Sequence, residues 1–295
     1  MLLTNEGKVP VWWWTVAPNF GDLIAPWLVR KISGREVVYS NKYEHCYVVV
    51  GSVLGQVRRH AIVWGAGSFG TELFGRHRGI NVQRFSGKAR YCAVRGPLTR
   101  NKLRMAGIDC PAIYGDPALL VPDYYSPQIE KTHEVGIVLR WSESEWFDSL
   151  NIDGVKKIFL RTDDVEGTID AMLACRRVVT SSLHGLILAD VYGIPNVWVA
   201  SHTPKGLEFK YWDYLLSVEK TRPPVQMDFN AGPWTLARML DQLPFDGRPI
   251  RLDLQALRDA CPFVPGREPD IVVPSNSRRK HFFLIKRSLR PFWKR

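Results

Sequence analysis

Short apolar runs recur along this chain at helix-length intervals. VPVWWWTV, EHCYVVVGSV and HAIVWGAGSFG follow one another in the first 70 residues, with the helix-like NFGDLIAPWLVRKISG after the first of them. ARYCAVRGPLTRNKLRMAGI continues the pattern, with a strand to Val94 and a helix from about Pro97 that stops near Gly107. Apolar runs spaced in this way are the signature of parallel strands, which need long crossover connections and usually obtain them from helices.

The second half repeats the theme. HEVGIVLRW and KKIFLRT read as buried strands, and VEGTIDAMLACRRVVTSS as a helix running into another. SLHGLILADVYG reads as a helix closed by Gly193, IPNVWVA as the next strand and LDLQALRDACPF as the last clear helix. Between the halves, the Pro-rich YGDPALLVPDYYSP reads as an interdomain linker. The expected fold is α/β, with two Rossmann-like domains over 1–125 and 126–265 and a basic amphipathic tail over 266–295. In open parallel sheets ligands sit beyond the carboxyl ends of the strands. Residues 18–22, 65–70, 95–99 and 180–184 fall there, so the expected site is a cleft between the halves, assembled from loops far apart in sequence.

Charge narrows the function classes once it is located. The formal net charge is +11, but eight Lys and Arg and no acid lie between Arg278 and Arg295. The basic excess therefore belongs to the tail and is not the footprint of a nucleic-acid-binding body. The five cysteines are scattered and never spaced as CxxC, which predicts free thiols and no metal site. No run approaches the roughly 20 apolar residues of a membrane span, so a cytoplasmic protein is expected.

Two glycine loops invite a ligand. GAGSFG at 65–70 has the GxGxxG form, but the position about 20 residues on, where a dinucleotide site needs an acid for the ribose, reads FSGKAR. What remains is a tight turn able to bring backbone NH groups of Gly65 and Gly67 toward an anion. NFGDLIAP at 19–26 reads equally as helix capping or as a loop lining a ligand with Asn19 and Asp22.

Five pieces of the chain, in this order, resemble the polysaccharide pyruvyl transferase family: NFGDLIAPWLVRKISG, VWGAGS, AVRGPLT, YGDPALLVP and SSLHGLILADVYGIP. Within it the chain is most similar to enzymes that decorate bacterial exopolysaccharides such as succinoglycan and xanthan. The resemblance implies a glycosyltransferase-B-like pair of Rossmann-type domains that uses phosphoenolpyruvate, without a further cofactor, to place a pyruvate ketal on a sugar. It also implies that Arg95 and His184 are the family's functional Arg and His, with Lys210 as a further basic residue of the site.

The chemistry suits those residue types. Phosphoenolpyruvate carries a carboxylate and a phosphate, and an arginine fork binds oxyanions in a bidentate way. Arg95, just before the helix at Pro97, would add a helix N-terminus to the same anion. Ketal formation needs a proton donor and acceptor near neutrality, a role open to His184, which could instead bind the phosphate. Ser181 and Ser182 either hydrogen-bond the leaving phosphate or cap the helix, and Asp22 and Asp116 either serve a sugar hydroxyl or cap.

The tail interleaves Phe282, Ile285, Leu289 and Phe292 with Lys286, Arg287 and Arg290. That is the pattern of an interfacial segment drawn to anionic lipid. It suits peripheral attachment to the inner face of the membrane, where the resemblance implies an acceptor oligosaccharide linked to a polyprenyl diphosphate. A nucleotide-sugar glycosyltransferase of the same fold is the competing expectation, with Glu208 or Asp213 holding a ribose.

Overall fold

The computed structural model describes residues 1–71, 85–143, 145, 148, 150–200, 208–227, 233–264 and 271–273. Strands β2 (Val9–Val11), β3 (Val37–Tyr39), β4 (Cys46–Val48), β5 (Ala61–Trp64) and β6 (Arg90–Ala93) form one parallel sheet, ordered β3-β2-β4-β5-β6. Strands β7 (His133–Val138), β8 (Val155–Ile158), β9 (Cys175–Thr180) and β10 (Asn196–Trp198) form a second, ordered β10-β9-β7-β8 and also parallel. The protein is therefore α/β with parallel, Rossmann-like sheets, as the alternation of apolar runs and helices predicts.

In each sheet the order reverses beside the first strand. β2 lies between β3 and β4, and β7 lies between β8 and β9. Connections leave such a strand toward opposite faces, which opens a crevice at its carboxyl end. The first sheet thus offers the segments after β2 and β4, and the second those after β7 and β9.

Helix α1 (Phe20–Ser33) follows β2. Phe20, Ile24, Leu28 and Val29 form its buried face, and Gly34 ends it in the left-handed conformation, with φ of 64° and its N–H on the Arg30 carbonyl. Helix α2 (Pro97–Met105) starts with Pro97 in its first turn, where the missing N–H costs nothing. Helix α3 (Val165–Leu173) precedes β9, and α4 (Leu183–Val191) follows it. Because α4 buries Leu186, Ile187, Leu188 and Ala189 in succession, it is an interior helix without a polar face. Helices α5 (Phe209–Ser217), α6 (Leu236–Gln242) and α7 (Leu254–Asp259) complete the described elements of this kind.

One apolar core runs from Val11, Leu28 and Trp64 through Leu119 to Val138, Leu186 and Trp198, so the layers of both sheets share it. Separate clusters back the two sheets, around Val48, Val63 and Leu103 for the first and Ile137, Val179 and Met239 for the second.

Three expectations are corrected here. The supposed linker contains a 3₁₀ helix over Pro117–Asp123 in which Pro117 to Val121 are all buried. Its prolines suggest an exposed connection, but Ala-Leu-Leu-Val supplies apolar side chains to the shared core. Helix α7, expected to end the second unit, packs on the first: the Trp64 indole donates to the Leu257 carbonyl at 2.9 Å, and Phe263 meets the rings of Tyr47 and Trp64 edge-on. The stretch assigned to the tail also includes a strand, β11 (Ile271–Val273), which pairs in parallel with β1 (Leu2–Thr4). The amphipathic stretch 278–295 lies outside the described residues.

Candidate functional site

A cavity of about 320 Å³ opens at both strand-order reversals. Trp14, Asn19 and Asp22 reach it from the segment after β2, and Gly51, Ser52 and Val53 from that after β4. The second sheet contributes Arg140 and Ser142 after β7, Leu160 after β8, and Ser182, Leu183 and His184 after β9. Phe69 and Lys210 complete much of the wall. Its volume is at the small end of ligand pockets, roughly 300–1,000 Å³.

The ionisable wall consists of Asp22, His184, Lys210 and Arg140. Asn19 occupies the N-cap position of α1 but makes no side-chain cap; its amide donates instead to Asp22 Oδ2 at 2.5 Å. Burial pushes the Asp22 carboxyl up to about 6, against the opposing pull of Asn19 and Lys210. Lys210, in the first turn of α5, is pushed down to about 7 by burial and by the guanidinium groups of Arg140 and Arg95. The same helix is anchored beneath it, where Tyr211 stacks on Trp198 at 4.6 Å and donates its hydroxyl to the Ser181 carbonyl.

His184 stands in the first turn of α4 with its ring against Gly21. A Cβ on Gly21 would fall 2.0 Å from Nδ1, so only glycine lets α1 approach the imidazole this closely. Burial, together with Lys210 and Arg95, pushes His184 down to about 3. The ring is therefore neutral at pH 7. A neutral imidazole is set to accept a proton first, which is the acceptor part of the role open to it from sequence.

Arg95 is buried, and its direct role on the donor is corrected. Its Nε donates to Asp213 Oδ2 at 3.0 Å, Nη1 to Ser52 Oγ at 2.7 Å and Nη2 to the Ser68 carbonyl at 2.7 Å. Asp213 also takes the Thr99 N–H, at 2.8 Å, and the Thr99 hydroxyl, at 2.6 Å. The anion expected before Pro97 is thus supplied by the chain itself, since a carboxylate from α5 satisfies both the guanidinium and an orphan donor of α2. Arg95 still reaches the cavity indirectly, through Ser52.

The remaining sequence candidates are placed as follows. Ser182 lines the cavity and caps α4, accepting from the Gly185 N–H at 3.4 Å. Ser181 turns away, donating to Glu143 Oε2 at 2.5 Å and accepting from the Arg140 N–H at 3.1 Å. Gly65 and Gly67 are corrected as anion donors, because their amides already bond the carbonyls of Ala93 and Gly51 at 2.9 Å. Gly67 serves instead to admit Arg95, whose guanidinium carbon lies 2.3 Å from where a Cβ would be. Asp116 is buried behind His184 and cannot touch a sugar. Asp213, offered as a ribose ligand, is held by Arg95 and Thr99.

Sequence reasoning missed Arg140 and the aromatic wall of Trp14 and Phe69. A signal for Arg140 existed, because HEVGIVLR places a cation at the carboxyl end of a buried strand. Among the described residues, no group of three or more His, Cys, Asp or Glu could hold a metal ion. None of their helices is long and apolar enough to cross a membrane.

The chain is 27% identical over 233 residues to an uncharacterized protein of Acanthamoeba polyphaga mimivirus, covering 72% of this chain and 76% of that one. A solved structure of an uncharacterized protein from Klebsiella pneumoniae subsp. pneumoniae aligns with a TM-score of 0.43 at 13% identity, over 75% of this chain and 93% of that one. A profile of the family described as polysaccharide pyruvyl transferase matches residues 19–203, from Asn19 at the first strand-order reversal to beyond His184 at the second. With that match over more than half its length, the chain belongs to the polysaccharide pyruvyl transferase family, a family of transferases.

Proposed function

We propose that this protein transfers the pyruvyl group of phosphoenolpyruvate to a sugar of an exopolysaccharide repeat unit, forming a ketal and releasing phosphate. In this reading the two sheets are the cores of two domains arranged as in a glycosyltransferase B fold, and the cavity is the cleft between them. The observation that carries it is the convergence of Lys210, Arg140, His184 and Asp22 on one cavity at the two strand-order reversals.

Lys210 and Arg140 suit the phosphate and carboxylate of the donor. A dianion beside Lys210 favours its ammonium form, so binding and protonation reinforce one another. Trp14 and Phe69 give the cavity flat apolar faces that suit the faces of a pyranose ring.

The proton inventory closes over the reaction. Asp22 in its acid form protonates C3 of the enol, and a sugar hydroxyl adds to C2 while its proton passes to neutral His184. The second hydroxyl then attacks C2, its proton returning to Asp22, as phosphate leaves with the proton of His184. One ketal and one phosphate result, and both side chains recover their starting states.

The nucleotide-sugar alternative gains no support from Asp213, which is occupied by Arg95 and Thr99. An acceptor carried on a polyprenyl diphosphate would suit attachment of residues 278–295 to the inner membrane face. The test is incubation with phosphoenolpyruvate and lipid-linked or aryl hexosides, following phosphate release and an acid-labile mass increase. Absence of acceptor-dependent phosphate release with every hexoside would overturn the reading. Deletion of 278–295 should weaken binding to anionic vesicles while sparing turnover of a soluble acceptor, and unchanged vesicle binding would refute the membrane role.

A further inference from the structure

Two buried polar atoms face each other behind the cavity with no hydrogen-bond partner. They are His184 Nε2 and Asp116 Oδ2, 3.9 Å apart. A buried polar atom left unpaired is destabilising, so one such atom calls for an explanation and two in opposition supply it to each other. Closing the gap by about 1 Å would bring them to the usual hydrogen-bond length of roughly 2.9 Å. The other carboxylate oxygen, Oδ1, is fixed by the Ala118 N–H at 3.1 Å, which aims Oδ2 at the ring. Nε2 is shut off from solvent while the ring borders the cavity, which leaves Nδ1, beside Gly21, as the nitrogen able to meet a ligand.

We infer that Asp116 is a positioning residue for His184: its Oδ2 takes the proton of Nε2 in a hydrogen bond, so that Nδ1 presents its lone pair to the cavity. A carboxylate on one ring nitrogen sets which tautomer the other displays. Only Nδ1 then accepts the proton of an attacking hydroxyl, and as that proton arrives the carboxylate stabilises the imidazolium that forms. Among the described residues, Asp116 is the acid that stands against Nε2. Lys210 and Arg95 oppose positive charge on the ring, and Asp22 borders the same cavity. Asp116 itself senses Arg95 and Asp213, with the Tyr214 phenol nearby.

The catalytic consequence rests on the transferase reading of the cavity, whereas the tautomer does not. Nitrogen-15 NMR of histidine-labelled full-length protein near neutral pH reads it directly, with His184→Gln identifying the signal among the seven histidines. The expected wild-type state is protonated on Nε2. In Asp116→Asn the Ala118 N–H holds the amide oxygen, so the NH₂ faces Nε2 and forces the proton to Nδ1. An Nδ1-protonated wild type, or an unchanged tautomer in Asp116→Asn, overturns the inference, and neither result depends on turnover. With phosphoenolpyruvate and an acceptor, Asp116→Asn should lower kcat by about 10²-fold with little change in KM, the split expected when a proton acceptor is lost and binding is kept. Unchanged kcat would also overturn it.

Discussion

Arg95 and Asp213 are 118 residues apart in the chain and form an ion pair that solvent does not reach. Each belongs to a different wall of the site. Arg95 stands at the end of β6 and holds Ser52, while Asp213 lies on the helix that carries Lys210. Removing one partner leaves the other buried and uncompensated, which costs about 3–5 kcal/mol. Asp213→Ala should lose stability of that order in urea unfolding and lose turnover with it, although Asp213 touches no substrate. Arg95→Met with Asp213→Leu should recover much of the stability and none of the turnover, because the fixed position of Ser52 would still be missing.

Burial and the nearby guanidinium groups of Arg140 and Arg95 hold Lys210 down to about 7. Above that pH, an entering dianion must draw a proton onto the amine. Calorimetric titration with phosphoenolpyruvate at pH 8 should therefore give a binding enthalpy that depends on the ionisation heat of the buffer, with net proton uptake. Lys210→Met should abolish that dependence and weaken binding about 10- to 100-fold, the equivalent of one charge-assisted hydrogen bond.

Asp22 connects function to stability with a definite sign. Its carboxyl is raised from 3.8 to about 6, so the folded protein holds that proton more tightly than the unfolded chain does. The stability this contributes is complete below 3.8 and is lost as pH rises through about 6. At pH 8 the buried carboxylate costs on the order of 2–3 kcal/mol. Asp22→Asn should thus be more stable than wild type at pH 8 and equal to it below about pH 4. The gain will be trimmed by the lost attraction for Lys210, and turnover should fall because the proton donor is gone. Urea unfolding at the two pH values measures the first effect and phosphate release the second.

Gly21 separates folding from catalysis. Alanine is the better helix former by about 1 kcal/mol, so α1 gains intrinsic preference in Gly21→Ala. The added carbon, however, would fall 2.0 Å from His184 Nδ1 and must displace the ring. Circular dichroism should show an intact fold while kcat drops. Wild-type turnover in this variant would mean that the ring position beside α1 does not matter.

Local grammar made the strands and helices legible. An apolar run followed by a capping residue and an amphipathic stretch carries its own punctuation, as VVTSSLHGLILADVYG does from β9 through α4. The segments beyond the strand ends were legible for the same reason, and Asn19, Asp22, Ser182 and His184 do line the cavity. What escaped depends on partners distant in sequence. Nothing local to VRGPLT indicates that Arg95 is matched by Asp213, and nothing in YGDP indicates that Asp116 lies behind His184. The prolines of YGDPALLVPDYYSP pointed outward because composition reports turn preference and not what covers a segment. The three residues of β11 are too few to carry a periodicity of their own.

The return of α7 to the first sheet orders events during synthesis. Trp64 and Tyr47 lack the ring of Phe263, and β1 lacks its neighbour β11, until synthesis has passed residues 263 and 273. An earlier segment is thus completed by a much later one, and native contacts of such long sequence separation form slowly. A ribosome-bound chain stopped at residue 250 would expose the apolar surface that Leu257 and Phe263 cover, a surface for chaperones to shield and proteases to find.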